Sequence, residues 1–206
     1  MRDHTLSQHF LRSPRLALTL IGHSNLKRRD LVLDIGAGSG VITSALAKRC
    51  REVWAIEPDP EAMAKLRRHL AAAGLSAPQP PDGQPSKTAL VRTFQQDFLT
   101  LDLPTEPYKV FANPPFHLSS KILHKLLEAP NPPEAIYLIL QKQLALKLIA
   151  TDRHYTSRLG HALNQRYQTK IRYPLKPTDF TPPPAVPTVL YEAKLIPQDN
   201  QHTSRD

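Results

Sequence analysis

The chain has 206 residues and a formal net charge of +9, with 27 Lys and Arg against 18 Asp and Glu. This length favours a single domain with one sizeable core, and the positive charge favours a polyanionic partner such as a nucleic acid. Cys50 is the only cysteine, which excludes an intramolecular disulfide and a thiolate cluster for zinc, and no apolar stretch is long enough to span a membrane. The histidines are scattered without the spacing of metal ligands. We therefore expect a cytoplasmic monomer that binds neither a metal nor a membrane.

Apolar runs bounded by turn residues alternate with amphipathic helical patterns along the chain. This alternation predicts an α/β fold with a seven-stranded, mostly parallel, doubly wound sheet. In such sheets, ligands bind beyond the carboxyl ends of the strands. The predicted strands are Leu31–Ile35, Val53–Ile56, Ala89–Phe94, Tyr108–Ala112, Ala135–Leu140, approximately Gln168–Tyr173 and Val189–Leu195, and the predicted helices lie within residues 41–50, 61–74 and 119–129.

Two proline-rich segments interrupt this pattern. Residues 76–87 predict an exposed loop inserted between two structural elements, and residues 174–187 predict an extended strap that crosses the molecule. Strand-like sequence resumes after each segment, so neither is expected to link two domains. We therefore predict one domain over residues 1–196, followed by a polar tail at 197–206.

A glycine-rich turn, Gly36-Ala37-Gly38-Ser39-Gly40, follows the first predicted strand and precedes a helical pattern. Glycines in this context let the backbone approach a ligand closely, although a plain tight connection is the alternative interpretation. The dinucleotide pattern GxGxxG needs a third glycine where Val41 stands, which disfavours a nicotinamide or flavin site. Glu57 ends the second strand, where a carboxylate can accept hydrogen bonds from two ribose hydroxyls. The combination indicates a nucleoside with an uncharged linker, such as S-adenosylmethionine.

Asp97, in the segment FQQDFL after the third strand, is a second candidate for the same ligand. Its carboxylate can accept a hydrogen bond from the adenine amino group of the cofactor. An Asp that only caps a helix or closes a turn is the alternative, and the sequence leaves both open.

Residues 113–116 read Asn-Pro-Pro-Phe, directly after the fourth predicted strand. An aromatic amine is a poor nucleophile because its lone pair is delocalised, and acceptors around its N–H bonds draw the nitrogen towards tetrahedral geometry. The side-chain carbonyl of Asn113 and the main-chain carbonyl of Pro114 can be such acceptors, while Phe116 can stack on a base swung out of its helix. A simple loop after a strand is the plainer interpretation. Together with the glycine turn, this corner predicts methylation of the exocyclic amine of a nucleobase.

The motifs LDIGAGSG, IEPD, QDFL and NPPF occur in that order, with QHFL before them at 8–11 and FTPPPAV after them at 180–186. On these motifs the chain resembles the Erm and KsgA/Dim family of ribosomal RNA adenine N6-methyltransferases. The resemblance implies a Rossmann-like class I fold that depends on S-adenosylmethionine. By motif, it assigns catalysis to Asn113, Pro114 and Phe116, and cofactor contacts to Gln8, His9, Phe10, Gly36, Ala37, Gly38, Glu57, Pro58, Asp97, Phe98 and Asn113.

Within this family the chain looks most similar to the Erm branch. That similarity implies methylation of one adenine in large-subunit (23S) rRNA, and hence resistance to macrolides, lincosamides and streptogramin B. The family usually has Asn-Ile-Pro-Tyr or Asn-Leu-Pro-Tyr, so Pro114 and Phe116 are departures, and it often has Asn where His9 stands. Typical members continue into a small helical domain after the strap, so we expect that domain to be largely absent here and its RNA contacts to come from the catalytic domain or a partner.

Basic residues interleaved with aromatic residues are the candidates for RNA contacts, because they suit phosphate neutralisation and stacking on unpaired bases. For residues 153–176, a solvated helix followed by an amphipathic strand is the alternative interpretation. The candidates are Arg12, Arg15, Arg153, Tyr155, Arg158, Arg166, Lys170 and Arg172.

Other functions stay open at this point. A KsgA-type enzyme that acts on small-subunit rRNA is the nearest alternative. Asn-Pro-Pro-aromatic corners also serve enzymes that methylate DNA adenine or a protein glutamine amide, although QHFL and FTPPPAV would be unexpected there. A non-catalytic nucleic-acid-binding factor on the same fold is a further alternative, which substitution of Asn113 by Ala would distinguish from an enzyme.

Overall fold

The computed structural model describes residues 9–75, 89–149 and 156–197. All seven predicted strands are confirmed, with ends that differ by at most two residues. The strands are β1 (Phe10–Leu11), β2 (Leu31–Ile35), β3 (Glu52–Ile56), β4 (Leu90–Phe94), β5 (Tyr108–Ala112), β6 (Ala135–Gln141), β7 (Tyr167–Leu175), β8 (Phe180–Thr181) and β9 (Thr188–Leu195). The helices are α1 (Pro14–Gly22), α2 (Val41–Ala47), α3 (Pro60–Ala72), α4 (Ser119–Glu128), α5 (Lys142–Leu148) and α6 (Arg158–Asn164).

Seven strands form one sheet in the order β4-β3-β2-β5-β6-β9-β7. The first five strands in that order are parallel to one another. Strand β9 is antiparallel to both β6 and β7. The chain proceeds from β2 towards one edge and returns to the other side of β2 at β5. A crevice therefore opens beyond the carboxyl ends of β2 and β5, at the switch point where α/β sheets bind ligands.

The helices cover both faces of the sheet. One hydrophobic cluster packs α1, α2 and α3 against it, and a second packs α4, α5 and α6 against the opposite face. Because both faces are covered, every residue of β2 and β5 is buried, as expected for central strands of a parallel sheet. The two central strands are thus held rigidly, and so are the turns that follow them.

Helices α1, α3 and α6 begin with side-chain caps, and the caps of α1 and α3 are each followed by a proline. Ser13 accepts a hydrogen bond from the backbone N–H of Leu16 at the start of α1, and Asp59 accepts one from Ala62 at the start of α3. In α1 and α3 the proline stands at the first helical position, where its missing N–H costs nothing. Helices α1 and α5 were missing from the sequence-based prediction.

The predicted strap at 174–187 needs correction. Strand β7 extends as far as Leu175, and a single 3₁₀ turn spans Pro177–Asp179. Asp179 closes that turn, because its carboxylate accepts from the N–H of Lys176 while its own N–H donates to the carbonyl of Lys176. The remaining part contributes β8, which pairs antiparallel with β1 in a two-stranded sheet.

Several sequence-based predictions lie outside the described residues. They are the loop at 76–87, most of the polar tail, and the individual residues Gln8, Arg153 and Tyr155. Within the described ranges, no helix has the length and apolar character needed to cross a bilayer. The same ranges contain no cluster of three His, Cys, Asp or Glu side chains that could hold a metal ion.

Candidate active site at the carboxyl edge of the sheet

The glycine turn lies between β2 and α2 with three of its residues in left-handed backbone conformations. Gly36 has φ +73°, Gly38 has +55° and Gly40 has +89°, values that residues with a Cβ rarely adopt. Space also requires glycine, because a Cβ on Gly38 would stand 3.0 Å from the ring of Phe10. The backbone N–H groups of Gly36 and Ala37 both donate to the carbonyl of Ile56, which fixes the turn against the end of β3.

Glu57, the predicted ribose ligand, is buried directly beside this turn. One carboxylate oxygen accepts from the N–H of Gly38 at 2.9 Å, and the other accepts from the N–H of Asp59 at 3.0 Å. A carboxylate oxygen can accept more than one hydrogen bond, so both retain capacity for ligand hydroxyls. The two backbone contacts therefore orient the carboxylate without using it up.

Asp34 is a buried acidic residue close to the glycine turn that the sequence did not single out. It lies near the end of β2, is 1% exposed, and accepts a hydrogen bond of 2.6 Å from the hydroxyl of Thr43 in α2. Its other oxygen has no hydrogen-bond partner among the described residues. Burial is the main cause that raises the pKa of Asp34 to about 7, and the negative charge of Glu57 contributes to the same rise. The sequence signal for Asp34 was its place inside the motif LDIGAGSG. Because Asp34 lies within an apolar run, it was interpreted only as part of the predicted strand.

A cavity of about 210 Å³ opens beside the glycine turn. Five predicted cofactor residues line it: Gly36, Glu57, Pro58, Asp97 and Phe98. The acceptor corner and the helix after it supply further lining residues that the sequence analysis did not assign to the cofactor: Pro115, His117, Leu118 and Ile122. The two motifs that the sequence placed at one edge of the sheet thus share one cavity.

Asp97 caps a turn and also lines the cavity. It caps a 3₁₀ turn at Phe98–Thr100, and its Oδ1 accepts from the N–H of Leu99 at 2.9 Å. This capping bond occupies one oxygen of an exposed carboxylate whose residue also lines the cavity. A capping Asp in this position is therefore compatible with an adenine contact.

The arrangement fits S-adenosylmethionine on the chemistry of its donor and acceptor groups. The left-handed glycines leave backbone room that a Cβ would fill, and Glu57 presents an oriented carboxylate for ribose hydroxyls. When bound, this cofactor supplies a methyl group on a positively charged sulfur.

Asn113 has a side-chain orientation that follows directly from its partner. Its Nδ2 donates to the main-chain carbonyl of His9 at 2.6 Å. Because a carbonyl oxygen can only accept, the amide nitrogen is the atom that faces His9, and the side-chain oxygen is left as the acceptor. The side-chain oxygen is thus able to accept a hydrogen bond from an amine, and its catalytic role stays a prediction.

The acceptor corner contacts the glycine turn. Pro114 is buried, and a Cβ built on Gly36 would lie 3.6 Å from the Cα of Pro114 and 3.4 Å from the Cδ of Pro115. The prolines present no N–H groups on this side that would compete with a target amine for the acceptor. The absence of a side chain on Gly36 thus allows the two motifs to approach each other.

The aromatic residues at the site come from the amino end of the chain and from the acceptor corner. The rings of Phe116 and His9 have centroids 5.3 Å apart at 34°. His9 also donates from Nδ1 to the carbonyl of Pro182 at 2.8 Å, next to the pairing of β1 with β8. Phe10 remains 42% exposed although its ring touches the glycine turn. The motifs QHFL and FTPPPAV therefore form one support behind Asn113, a pairing that the sequence analysis did not foresee.

The structure does not gather the RNA candidates into one surface. Arg12 and Arg15 are exposed next to β1, close in sequence to the acceptor support, and Arg158 is exposed at the first position of α6. Arg166 instead donates to the carbonyl of Leu127 at 2.7 Å, near the end of α4. That bond gives Arg166 a structural role.

Lys170 and Arg172 lie on β7, at the edge of the sheet, around a buried carboxylate. Glu192 is 1% exposed and has Lys170, Arg172 and Lys194 within 3.4–3.7 Å. Arg172 also donates from Nε to the carbonyl of His23 at 2.9 Å. One carboxylate balances one of the three positive charges, so the cluster keeps a positive surplus at the sheet edge.

Comparison with known proteins identifies the family. The family model for ribosomal RNA adenine dimethylases matches residues 2–205. The probable ribosomal RNA small subunit methyltransferase A of Methanosphaera stadtmanae is 30% identical over 200 residues, which cover 97% of this chain and 67% of that protein. The probable dimethyladenosine transferase of Dictyostelium discoideum is 34% identical over 188 residues, which cover 89% of this chain and 55% of that protein. This chain spans little more than half the length of the dimethyladenosine transferases that it matches.

Solved structures give the same fold. The 23S rRNA methyltransferase ErmE aligns with a TM-score of 0.74 and 25% identity over 91% of this chain and 70% of its own. A dimethyladenosine transferase from Plasmodium falciparum aligns with a TM-score of 0.76 and 22% identity over 91% of this chain and 64% of its own. This chain therefore belongs to the ribosomal RNA adenine dimethylase family, whose cofactor, S-adenosylmethionine, is the one that the glycine turn predicted.

Proposed function

We propose that this protein transfers methyl groups from S-adenosylmethionine to the N6 amine of an adenine in small-subunit ribosomal RNA. The observation that carries the proposal is the orientation of Asn113, whose nitrogen is held by His9 so that its oxygen remains an acceptor. That oxygen lies on a corner in contact with the glycine turn of the cofactor cavity. Catalysis on this site consists mainly of positioning and of acceptor geometry, because the transferred group leaves from a cation.

The roles of the chain's residues follow from their chemistry. The Asn113 side-chain oxygen and the Pro114 main-chain oxygen accept from the two N–H bonds of the target amine, which makes its lone pair available for attack. Phe116 supports the extruded base by stacking, a contact worth about 1–3 kcal/mol. No strong base is needed, because the methylated amine is initially cationic and releases a proton readily.

The small subunit is favoured over the large subunit by the named relatives. The most informative are a small-subunit rRNA methyltransferase and several dimethyladenosine transferases. The structural similarity to ErmE favours the second candidate, methylation of 23S rRNA with resistance to macrolides, lincosamides and streptogramin B. Assignment to the Erm branch, which the sequence analysis preferred, stays a prediction with less support than the small-subunit alternative.

RNA contacts closest to the chemistry are proposed for Arg12 and Arg15. Both are exposed and directly follow the segment that holds Asn113, whereas Arg166 is committed to a helix end. Arg12 and Arg15 can therefore neutralise phosphates that flank an extruded adenine. Lys170 and Arg172 are proposed to contribute only through the positive surplus of the cluster around Glu192.

The decisive experiment offers labelled S-adenosylmethionine with purified small-subunit and large-subunit rRNA, and maps the labelled base by reverse-transcription stops. We expect label in small-subunit RNA only. Label confined to large-subunit RNA supports the Erm alternative, and label in neither RNA, with an active control enzyme, refutes both.

An Asn113→Ala variant tests the catalytic role. We expect methyl transfer to fall by about 100-fold or more, as when a preorganised hydrogen-bonding group is lost, with RNA binding intact. Asn131→Ala is the matched control, since Asn131 is also half-buried and its Nδ2 also donates to main-chain carbonyls, those of Pro104 and Glu106. Full methyl transfer by Asn113→Ala would refute the catalytic role proposed for Asn113.

A further inference from the structure

The loop at residues 97–101 separates a cavity from a groove. Its inner side, through Asp97, Phe98 and Leu99, forms a wall of the cofactor cavity. Its outer side, through Leu99 and Leu101, borders a solvent-open groove of about 790 Å³. The side chains of Phe98 and Leu101 are buried in the core, so packing anchors these two residues, and hydrogen bonds fix the course of the backbone between them.

Lys125 of α4 provides those contacts. Its ammonium donates to the carbonyl of Phe98 at 2.8 Å and to the carbonyl of Leu101 at 2.5 Å. The same ammonium lies 5.1 Å from the ring centroid of Phe98, within the range of a cation–π contact. One carbonyl belongs to the first residue of the 3₁₀ turn and the other to the residue that follows the turn, so Lys125 ties the two ends of the turn together while Asp97 caps its beginning.

Burial of the Lys125 ammonium is consistent with this role. Desolvation lowers its pKa, while the charges of Asp102 and Asp97 act in the opposite direction. A half-buried ammonium is retained where its hydrogen bonds compensate for lost water. Lys125 also connects two motifs, because α4 begins at Ser119, just after the acceptor corner that ends with Phe116.

We propose that Lys125 is a positioning residue that holds the loop at 97–101 in the conformation in which Asp97 and Phe98 bind the adenine ring of the cofactor. The inference rests on the proposed function, in which this cofactor is the methyl donor. It predicts that loss of Lys125 weakens binding of the adenosine half of S-adenosylmethionine and raises the KM for the cofactor, with little change in kcat.

The test measures calorimetric affinity for methylthioadenosine, which has the adenosine half and the sulfur but no amino-acid group. We expect Lys125→Met, which keeps the length of the side chain without its donors, to weaken binding about tenfold. Lys125→Arg, which keeps the charge and donors, restores most of the affinity. Lys121→Met is the matched control: Lys121 is on the same helix and lines the same groove, so its loss should leave affinity unchanged.

Two outcomes overturn the proposal. One is wild-type affinity in Lys125→Met together with a lowered melting temperature, which would show a role in stability alone. The other is an equal loss of affinity in Lys121→Met, which would show a general charge effect. If Lys125→Met does not fold, Lys125→Gln replaces it and should show an intermediate loss. The binding assay needs no methyl acceptor, so a wild-type protein that binds methylthioadenosine but methylates no RNA refutes the proposed function without affecting this test.

Discussion

Replacing Asp34 by Asn should change how the stability of the protein depends on pH. Burial raises the pKa of Asp34 from 3.8 to about 7 in the folded chain. Asn keeps the shape of the side chain and an oxygen that can still accept from the hydroxyl of Thr43. The variant therefore removes the titration while it preserves the hydrogen bond.

The magnitude follows from the difference between the two pKa values. Between pH 3.8 and about 7 the unfolded carboxyl is ionised while the folded one keeps its proton, so the folded state binds more protons. The free energy of unfolding of the wild type then falls as the pH rises, by about 1.4 kcal/mol per pH unit from this group. Asp34→Asn lacks this loss, so between about pH 5 and pH 6.5 the variant should gain about 2 kcal/mol relative to the wild type.

Urea unfolding of both proteins at a series of pH values measures this difference directly. The comparison cancels the titration of the histidines and other groups, which the two proteins share. Because Glu57 also raises the pKa of Asp34, a Glu57→Gln background should reduce the gain. A difference in unfolding free energy that stays constant across this pH range would show that Asp34 is ionised in the folded protein, and the reasoning from burial would be wrong.

Substitutions of glycine give two further predictions. Gly38→Ala should weaken S-adenosylmethionine binding measured by calorimetry, because its Cβ would meet Phe10 at 3.0 Å. Gly74→Ala is the control, since Gly74 has φ +67° and no atom within 4 Å of its Cβ position. This substitution should cost about 1–2 kcal/mol of stability and leave affinity unchanged. Equal affinities in these two variants would contradict the close fit at the turn. Gly160→Ala should lower the melting temperature with a cost of about 1–3 kcal/mol, because its Cβ would lie 2.3 Å from the carbonyl oxygen of Lys147; an unchanged melting temperature would show that α5 and α6 can separate freely.

The sheet was predictable because its strands carry local signals. A buried strand such as β2 or β5 reads as a short apolar run between turn residues, and its bounds were predicted without error. Helix α5 was missed because its apolar residues continue those of β6 without a turn residue, and no side chain caps it. Strands β1 and β8 have two residues each and exist only through their mutual pairing, which a local pattern does not contain.

The candidate site was predictable where one motif carries one role. Gly36, Glu57 and Asp97 all line the cavity, because each ends a parallel strand or follows one, and parallel strands end at the same edge. Asp34 and Lys125 were missed for the opposite reason. Their roles come from burial and from partners on other elements, Thr43 for Asp34 and the carbonyls of the loop at 97–101 for Lys125.

The amino-terminal motif has a role that its sequence does not express. The carbonyl of His9 orients Asn113, which lies 104 residues away, and the ring of His9 is held by Pro182, which lies 173 residues away. Acceptor geometry in the active site therefore depends on contacts between both ends of the chain. The same support also positions Phe116. Its ring is placed by the contact with His9 at 5.3 Å, which requires an aromatic face and no hydroxyl.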